Sequence, residues 1–232
     1  NMKCWRPKTP GGKWRWLVFD VDCGFYGHAV RGKTHVYGHN TLAFATDPDG
    51  PEPYPAWCTL IFRKLLENQT FRNDFINRFS DCLNTIFHPQ RVIQQISEAK
   101  KALEPEMTAH IARWSQTEKS IQSLSDWDEN VRILVDFAET RVDSVHTYIN
   151  DEFNLGGTAH VTLNVSPPGA GTIKLNSLTL DEFPWSGNYF KKVPIKFTAT
   201  PNPGYRFAGW TGISAGDTLF TEIYLTGDVD VS

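Results

Sequence analysis

The sequence predicts an α+β chain in which a β-hairpin leads into a mostly helical part and a small all-β module follows. Three observations predict it. Residues 13–27 hold an aromatic, β-branched run that stops abruptly at acids and glycine. From Pro55 to the region of Phe153, apolar residues recur at helical spacing between prolines and capping residues. After Gly156-Gly157 the composition shifts to Thr, Val, Gly, Pro and aromatics with no helical period. The division therefore falls into residues 1–155 and 156–232. A hydrophobic content of 40% with 13% aromatics is ample for packed cores in both parts.

The hairpin comes first. Residues 2–6 read as a short strand, Pro7-Lys8-Thr9-Pro10-Gly11-Gly12 as a turn cluster, and residues 14–21 as the returning strand. Trp, Val, Leu and Phe fit a pleated surface, so the second strand is expected to be covered on both faces. Asp20 and Asp22 close it. Strand alternation sends both to one side, where their oxygens can converge on a single cation. Carboxylates there are costly unless water, a cation or hydrogen bonds receive them. Gly24 and Gly27 let the backbone turn beside them. Acids followed by glycine also simply end strands, so the residues alone leave both readings open. An EF-hand loop starting at Asp20 fails: its twelfth position is Arg31 and its sixth is Phe25.

Residues 28–54 show no sustained period and read as a long loop. The spacings of His28, His35 and His39 within it match no closed zinc site. Asp47-Pro48-Asp49-Gly50 reads as a turn. Pro55 then suits a first helical position, with Trp57, Leu60, Ile61, Lys64 and Leu65 on one face. Thr70 is the expected N-cap of a helix whose stripe is Phe71, Phe75, Phe79 and Leu83, a core stripe rather than a ligand pocket. Pro89 opens another helix carrying Val92, Ile93 and Ile96. Pro105 is expected to start the next, with Met107, Ile111 and Trp114. Asp126 caps a long last helix bearing Val131, Leu134, Ala138, Val142, Val145 and Ile149. His110 and Arg113, one turn apart, read as satisfied groups at a helix packing surface. In the tail, residues 160–165, 172–176, 193–200 and 219–225 read as strands, the first two around Pro167-Pro168-Gly169.

Net charge is −3 with acids and bases interspersed, which predicts neither a nucleic-acid stripe nor a polybasic membrane patch. No apolar run approaches the roughly 20 residues of a spanning helix. Cys4, Cys23, Cys58 and Cys82 contain no C-x-x-C pair, so a zinc site is not expected. Cys4 and Cys23 flank the hairpin, and a disulfide and buried free thiols both stay open for them. No G-x-S-x-G elbow or H-E-x-x-H motif occurs, which argues against a hydrolase, and no Gly-rich phosphate loop occurs either.

Asn1-Met2-Lys3-Cys4-Trp5-Arg6, Gly11-Gly12-Lys13-Trp14-Arg15-Trp16 and Asp20-x-Asp22-x-Gly24-Phe25 resemble the central hairpin of the spore coat protein H (CotH) kinase-like family. Looser matches continue through Leu65-Leu66-x-Asn68, Phe71-Arg72-x-x-Phe75-x-x-Arg78-Phe79, Leu83-Asn84-Thr85, His110-x-x-Arg113-Trp114 and Phe137-x-x-x-Arg141. The resemblance implies that the helical part is a kinase-like C-lobe. It implies that Asn1 and Asp20, with Asp22 beside it, are ligands for Mg²⁺ or Mn²⁺ bridging the phosphates of ATP. Cys23 stands where that family often has an aromatic. The family's nucleotide-binding lobe and catalytic Asp would precede residue 1. The chain is therefore expected to be the C-terminal part of a longer protein and inactive alone.

Thr198-Ala199-Thr200-Pro201-x-Pro203-Gly204-Tyr205-x-Phe207-x-Gly209-Trp210 is similar to the divergent internalin-B-type β-repeat. That likeness implies Tyr205, Phe207 and Trp210 as core, a closing strand cut short at Val231-Ser232, and an exported bacterial protein found outside the cell, at its surface or in the periplasm. The expected function is phosphoryl transfer by the full-length parent, to a surface or secreted protein. The alternative is a non-catalytic adhesion protein whose β module binds a partner or glycan through exposed Trp185, Tyr189 and Phe190.

Overall fold

The computed structural model describes residues 3–17, 24–26, 38–50, 54–117, 121–215 and 217–232. Strands β1 (Lys3–Trp5) and β2 (Arg15–Leu17) pair antiparallel, with Trp5 opposite Arg15 and Lys3 opposite Leu17. A 3₁₀ turn at Gly24–Tyr26 and a short helix α1 (Thr41–Thr46) follow. Then come α2 (Leu60–Leu66), α3 (Gln69–Leu83), α4 (Pro89–Trp114) and α5 (Leu124–Phe153). The module holds β3 (Thr158–Leu163), β4 (Gly171–Leu175), β5 (Leu178–Leu180), β6 (Trp185–Phe190), β7 (Ile195–Pro201), β8 (Phe220–Ile223) and β9 (Val229–Val231). The α+β class read from the sequence is what the protein adopts.

Several local expectations need correcting. The hairpin strand at Arg15–Leu17 is exposed at every position rather than covered on both faces. Two three-residue strands offer too little sheet to bury indoles, and guanidinium groups cover the rings instead: Arg6 lies 5.4 Å from the Trp14 ring centroid and Arg15 5.6 Å from that of Trp5. The loop before Pro55 contains α1, whose N-cap Asn40 accepts the Ala43 N–H at 3.0 Å. Pro55 precedes a 3₁₀ turn, and Trp57 on the presumed apolar face is 72% exposed while Leu66 turns inward. Asn68, not Thr70, caps α3, its side chain accepting from Phe71 N at 3.0 Å. Pro105 lies inside α4. It removes one hydrogen bond, but Lys101, whose carbonyl loses its donor, is exposed, so water can replace it and the helix continues. His110 and Arg113 are exposed on α4 rather than packed.

Helix α5 starts with a reciprocal cap. Ser123 Oγ accepts from Asp126 N at 3.0 Å, and Asp126 accepts from Gln122 N at 3.1 Å. So Ser123 is the N-cap and Asp126 its third-position partner. The helix ends on Asn154 at φ +50°, and Leu155 N returns to Asn150 O at 3.0 Å.

The aromatic stripe of α3 is core as expected. Phe75 sits 5.0 Å from Phe79 and 6.3 Å from Phe153 between ring centroids. These rings, with Ile76, Val145 and Ile149, pack against Leu155, Phe190 and Val193. One apolar cluster therefore spans the helices and the β module.

In the module, β6-β3-β9 form a three-stranded sheet and β5-β4-β7-β8 a four-stranded one. Strands β3 and β4 flank the proline turn as expected but enter different sheets. Both sheets feed one core containing Val161, Leu163, Leu175, Tyr189, Ile195, Phe197 and Trp210. The closing strand, expected to be cut short, does form as the three-residue β9, which pairs parallel with β3, Val161 opposite Val229. Phe207 and Trp210 pack in this core, ring centroids 5.4 Å apart, whereas Tyr205 is 48% exposed. The nominated contact aromatics are not a surface patch: 185–190 is strand β6, Tyr189 and Phe190 are buried, and Trp185 packs against the core. Tyr189 and Phe190 are consecutive, so alternation sends one ring into the module and the other toward the helices.

Polar groups of α3 lock the two parts together. Asp81 is fully buried and accepts from Tyr189 Oη at 2.9 Å, Ser177 N at 3.0 Å, Ser177 Oγ at 2.5 Å and Asn176 Nδ2 at 3.4 Å. Burial first, then the Asp81 charge, pushes the Tyr189 phenol well above its usual value. Asn84 pairs with the backbone of Asn188 as a neighbouring strand would, donating to its O and accepting from its N, both at 2.9 Å. Asn77 donates to Pro194 O at 2.8 Å.

At the same seam, the His146 ring lies 5.9 Å from Phe190, its Nε2 buried without a hydrogen-bond partner among the described residues. Burial holds this imidazole below its ordinary value, against the opposing pull of Asp143. Below pH ~6.5 the unfolded chain takes up a proton that the folded protein resists. Stability is therefore full above that pH and falls as pH drops through the lower folded value. His146→Gln should flatten this acid limb in denaturant midpoints measured between pH 5 and 8.

Candidate functional site

The predicted metal ligands Asn1, Asp20 and Asp22 lie outside the described residues, as do Cys23, His28 and His35. The structure does describe what holds the flanks of that stretch. Upstream is the β1–β2 hairpin. Downstream, Phe25 takes φ +50° in the Gly24–Tyr26 turn and sets its ring 5.3 Å from Phe137 of α5, at an interplanar angle of 50°. A positive φ is uncommon for a bulky side chain; here the ring contact on α5 accompanies it.

The next described segment, 38–50, is tied to the same helix. Arg141 Nη1 donates to His39 O at 2.8 Å, and Tyr148 Oη donates to Gly38 O at 2.7 Å. The Arg141 guanidinium lies over both neighbouring rings, 5.8 Å from Phe137 and 5.7 Å from Tyr148. Phe137, Arg141 and Tyr148 follow each other at four and seven residues, which places them on one face of α5. This face is a platform that fixes both ends of the segment following the paired acids. Arg141→Ala should leave the helical core intact but free this anchor. The expected result is faster amide exchange over Ala43 and Phe44 and a stability loss of about 1–2 kcal/mol. Unchanged exchange would remove the platform role.

The remaining motif residues acquire structural reasons. Leu66 is buried and Asn68 caps α3; Phe75 and Phe79 are core; Asn84 holds β6. Arg78 donates to Ser177 Oγ at 2.6 Å. Of the histidines, His39 contributes its carbonyl to Arg141, and its ring stands edge-on to Phe44 at 6.2 Å.

Among the described residues, no group of three or more His, Cys, Asp or Glu side chains is placed to hold a metal ion. Cys4, Cys58 and Cys82 are free thiols; burial raises that of Cys82, against the lowering effect of Arg78. A cleft of about 460 Å³ between α4 and α5 is lined by Phe25, Phe87, Ile96, Leu103, Trp127 and Leu134 among others. Its cation, Lys100, is paired with Asp128 at 2.7 Å. Such a surface suits apolar packing and not a polyphosphate.

Sequence reasoning missed the seam residues Asn77, Asp81 and Asn84. Their spacing along α3 is helical, so the shared face was available as a signal. What was absent was any mark that a second domain, rather than water, covers it.

Comparison with known proteins gives two matches. The family profile described as CotH kinase protein matches residues 1–145, and the divergent InlB B-repeat domain matches residues 161–232. No curated protein and no solved structure matches the chain. The first profile covers the hairpin, the acid pair and the Phe137 and Arg141 part of the α5 platform in one stretch, and more than half the sequence: the chain belongs to the CotH kinase family and carries a divergent InlB B-repeat module after it.

Proposed function

We propose that the protein takes part in Mg²⁺- or Mn²⁺-dependent phosphoryl transfer from ATP to a surface or secreted protein, as an exported member of its family. The observation that carries this is the conjunction of family membership with the acid pair Asp20 and Asp22. Two carboxylates and the Asn1 amide oxygen form a donor set for a hard cation. When bound, that cation neutralises charge on the transferred phosphoryl group. The chain's own contribution is positioning. The described hairpin ends at Leu17, before the acids, and beyond them Phe137, Arg141 and Tyr148 hold Phe25, His39 and Gly38 on α5. The InlB-type module supports a setting at the cell surface or outside the cell. No described helix is long and apolar enough to cross a membrane. The non-catalytic adhesion reading keeps the same scaffold, but the aromatics nominated as its contacts serve the core.

Thermal unfolding with and without Mn²⁺ and ATP tests the proposal. A ligand that binds only the folded state raises the midpoint. Wild type should show that rise and Asp20→Asn should not. Equal behaviour of the two proteins would overturn the assignment of Asp20.

A further inference from the structure

The two sheets of the β module present four outer strands, β6 and β9 in one, β5 and β8 in the other. Three of these edges are blunted. Asn84 of α3 takes up the outer backbone groups of β6 at Asn188. Thr211 exchanges bonds with Ser232 just past β9. Strand β5 is three residues long. The fourth edge, β8, has no such cover, and residues 219–224 contain no Pro, Gly or Lys. The register shows which of its backbone groups face outward. Ala199 N donates to Leu219 O at 2.8 Å, while Phe197 and Ile195 stand opposite Thr221 and Ile223. Bonded pairs alternate along an antiparallel ladder, so Leu219, Thr221 and Ile223 supply the bonds to β7. The Phe220 N–H and both backbone groups of Glu222 turn the other way. None of these three has a partner among the described residues, whereas Phe220 O accepts from Thr218 Oγ1 at 2.6 Å. Phe220 and Tyr224 are 52% and 62% exposed, and exposed Glu222 lies between them on the same side of the strand. Lys196 stands opposite Glu222, yet its ammonium goes to Asp74 at 3.3 Å. Glu222 is thus left without an ion-pair partner among the described residues.

We propose that β8 is a docking edge for an extended segment of a partner protein in which a lysine or arginine stands between two apolar residues, each two positions away. Main-chain bonds to Phe220 and Glu222 extend the four-stranded sheet by one strand. The cation then lies across from Glu222, and the apolar side chains lie beside Phe220 and Tyr224. This charge match favours such a partner over a second copy of the chain. Pairing residues 220–224 with themselves in full antiparallel overlap sets Glu222 directly against Glu222, which is repulsive. The proposal stands apart from the cation site, because it uses neither Asp20 nor Asp22.

The test is fluorescence anisotropy of a labelled peptide of about seven residues, with Lys at its centre, Val two positions to either side and Thr elsewhere. The comparison peptide has Glu at the centre. Wild type should bind the Lys peptide at least about threefold more tightly than the Glu peptide, and Glu222→Lys should reverse that order. N-methylation of the whole peptide backbone should abolish binding, because it removes the donors that pair with the edge. Amide exchange at Phe220 and Glu222 should slow when the Lys peptide binds. The thermal midpoint of Glu222→Lys should stay at the wild-type value, because that side chain is exposed. No binding of the Lys peptide, equal binding of the two peptides, an order that Glu222→Lys leaves unchanged, or unaltered exchange at both amides would each overturn the proposal. Sedimentation velocity should show a monomer. A dimer with both amides already protected would assign the edge to a second copy and overturn it too. Asp20→Asn should bind the peptide as wild type does, which separates this result from failure of the cation site.

Discussion

Asp81→Ala is expected to destabilise the protein by about 3–5 kcal/mol and to uncouple its two parts. The estimate follows from what the substitution leaves behind. Asp81 is fully buried and receives Tyr189 Oη, Ser177 N and Ser177 Oγ within 3.0 Å. Removing the acceptor strands the buried Tyr189 hydroxyl at its full desolvation cost and breaks both Ser177 bonds, although exposed Ser177 can turn to water. Losing the hydrogen bonds of a fully buried carboxylate is among the larger single-residue effects. The Asn84 and Asn77 bonds remain but do not replace it. Unfolding followed by far-UV circular dichroism at the helix band and by tryptophan fluorescence should give one coincident transition in wild type. The variant should give two, with the helical transition at lower denaturant. A single transition at the wild-type midpoint would mean that the apolar cluster of Ile76, Phe190 and Val193 alone couples the parts. Tyr189→Phe is the milder companion, losing one donor and keeping the ring, at about 1–2 kcal/mol.

Gly212→Ala should cost about 3 kcal/mol or more, all of it within the β module. Gly212 has φ +80°, and a Cβ added there would lie 1.7 Å from Asp230 O. Left-handed backbone alone strains an alanine. The overlap adds more, since the obstructing atom is backbone and cannot swing away. The strand must yield, and that strand is β9, which pairs with β3 and carries buried Val231 into the core. Neighbouring Thr211 exchanges backbone bonds with Ser232 at 2.8 and 3.3 Å, so the same shift breaks both. Amide exchange should accelerate at Ser232 and at Asn164, whose N–H donates to Val231 O, while the exchange of α3 and α5 stays as in wild type. Unchanged protection at Asn164 would show that β9 does not hold the module's edge.

Much of this architecture was legible because it is written in apolar spacing. Phe71, Phe75 and Phe79 repeat at four residues and become the ring stack of α3. Thr, Val and Leu alternate in β3, and its buried positions alternate with them. What could not be read were features fixed by a partner remote in sequence. Asp81 and Asn84 look like a solvated helical face until β6 lies against them. Tyr189 and Phe190 look like turn aromatics until two cores take one ring each. Pro105 signals a helix start by its own chemistry, yet an exposed carbonyl at Lys101 lets α4 run through it. Asn68 lost to Thr70 because both can cap and only backbone geometry separates them. For the site, the acids and their chemistry were legible, while the α5 platform was not. Arg141 and Tyr148 act on backbone carbonyls a hundred residues away, which no local pattern encodes.

Calorimetric titration with Mn²⁺ in the presence of ATP, on wild type and on Asp20→Asn, reads the cation site itself. Wild type should give saturable heat and Asp20→Asn none at matched folded content, with Asp22→Asn weakened. Equal heats from wild type and Asp20→Asn, or none from either, would contradict it.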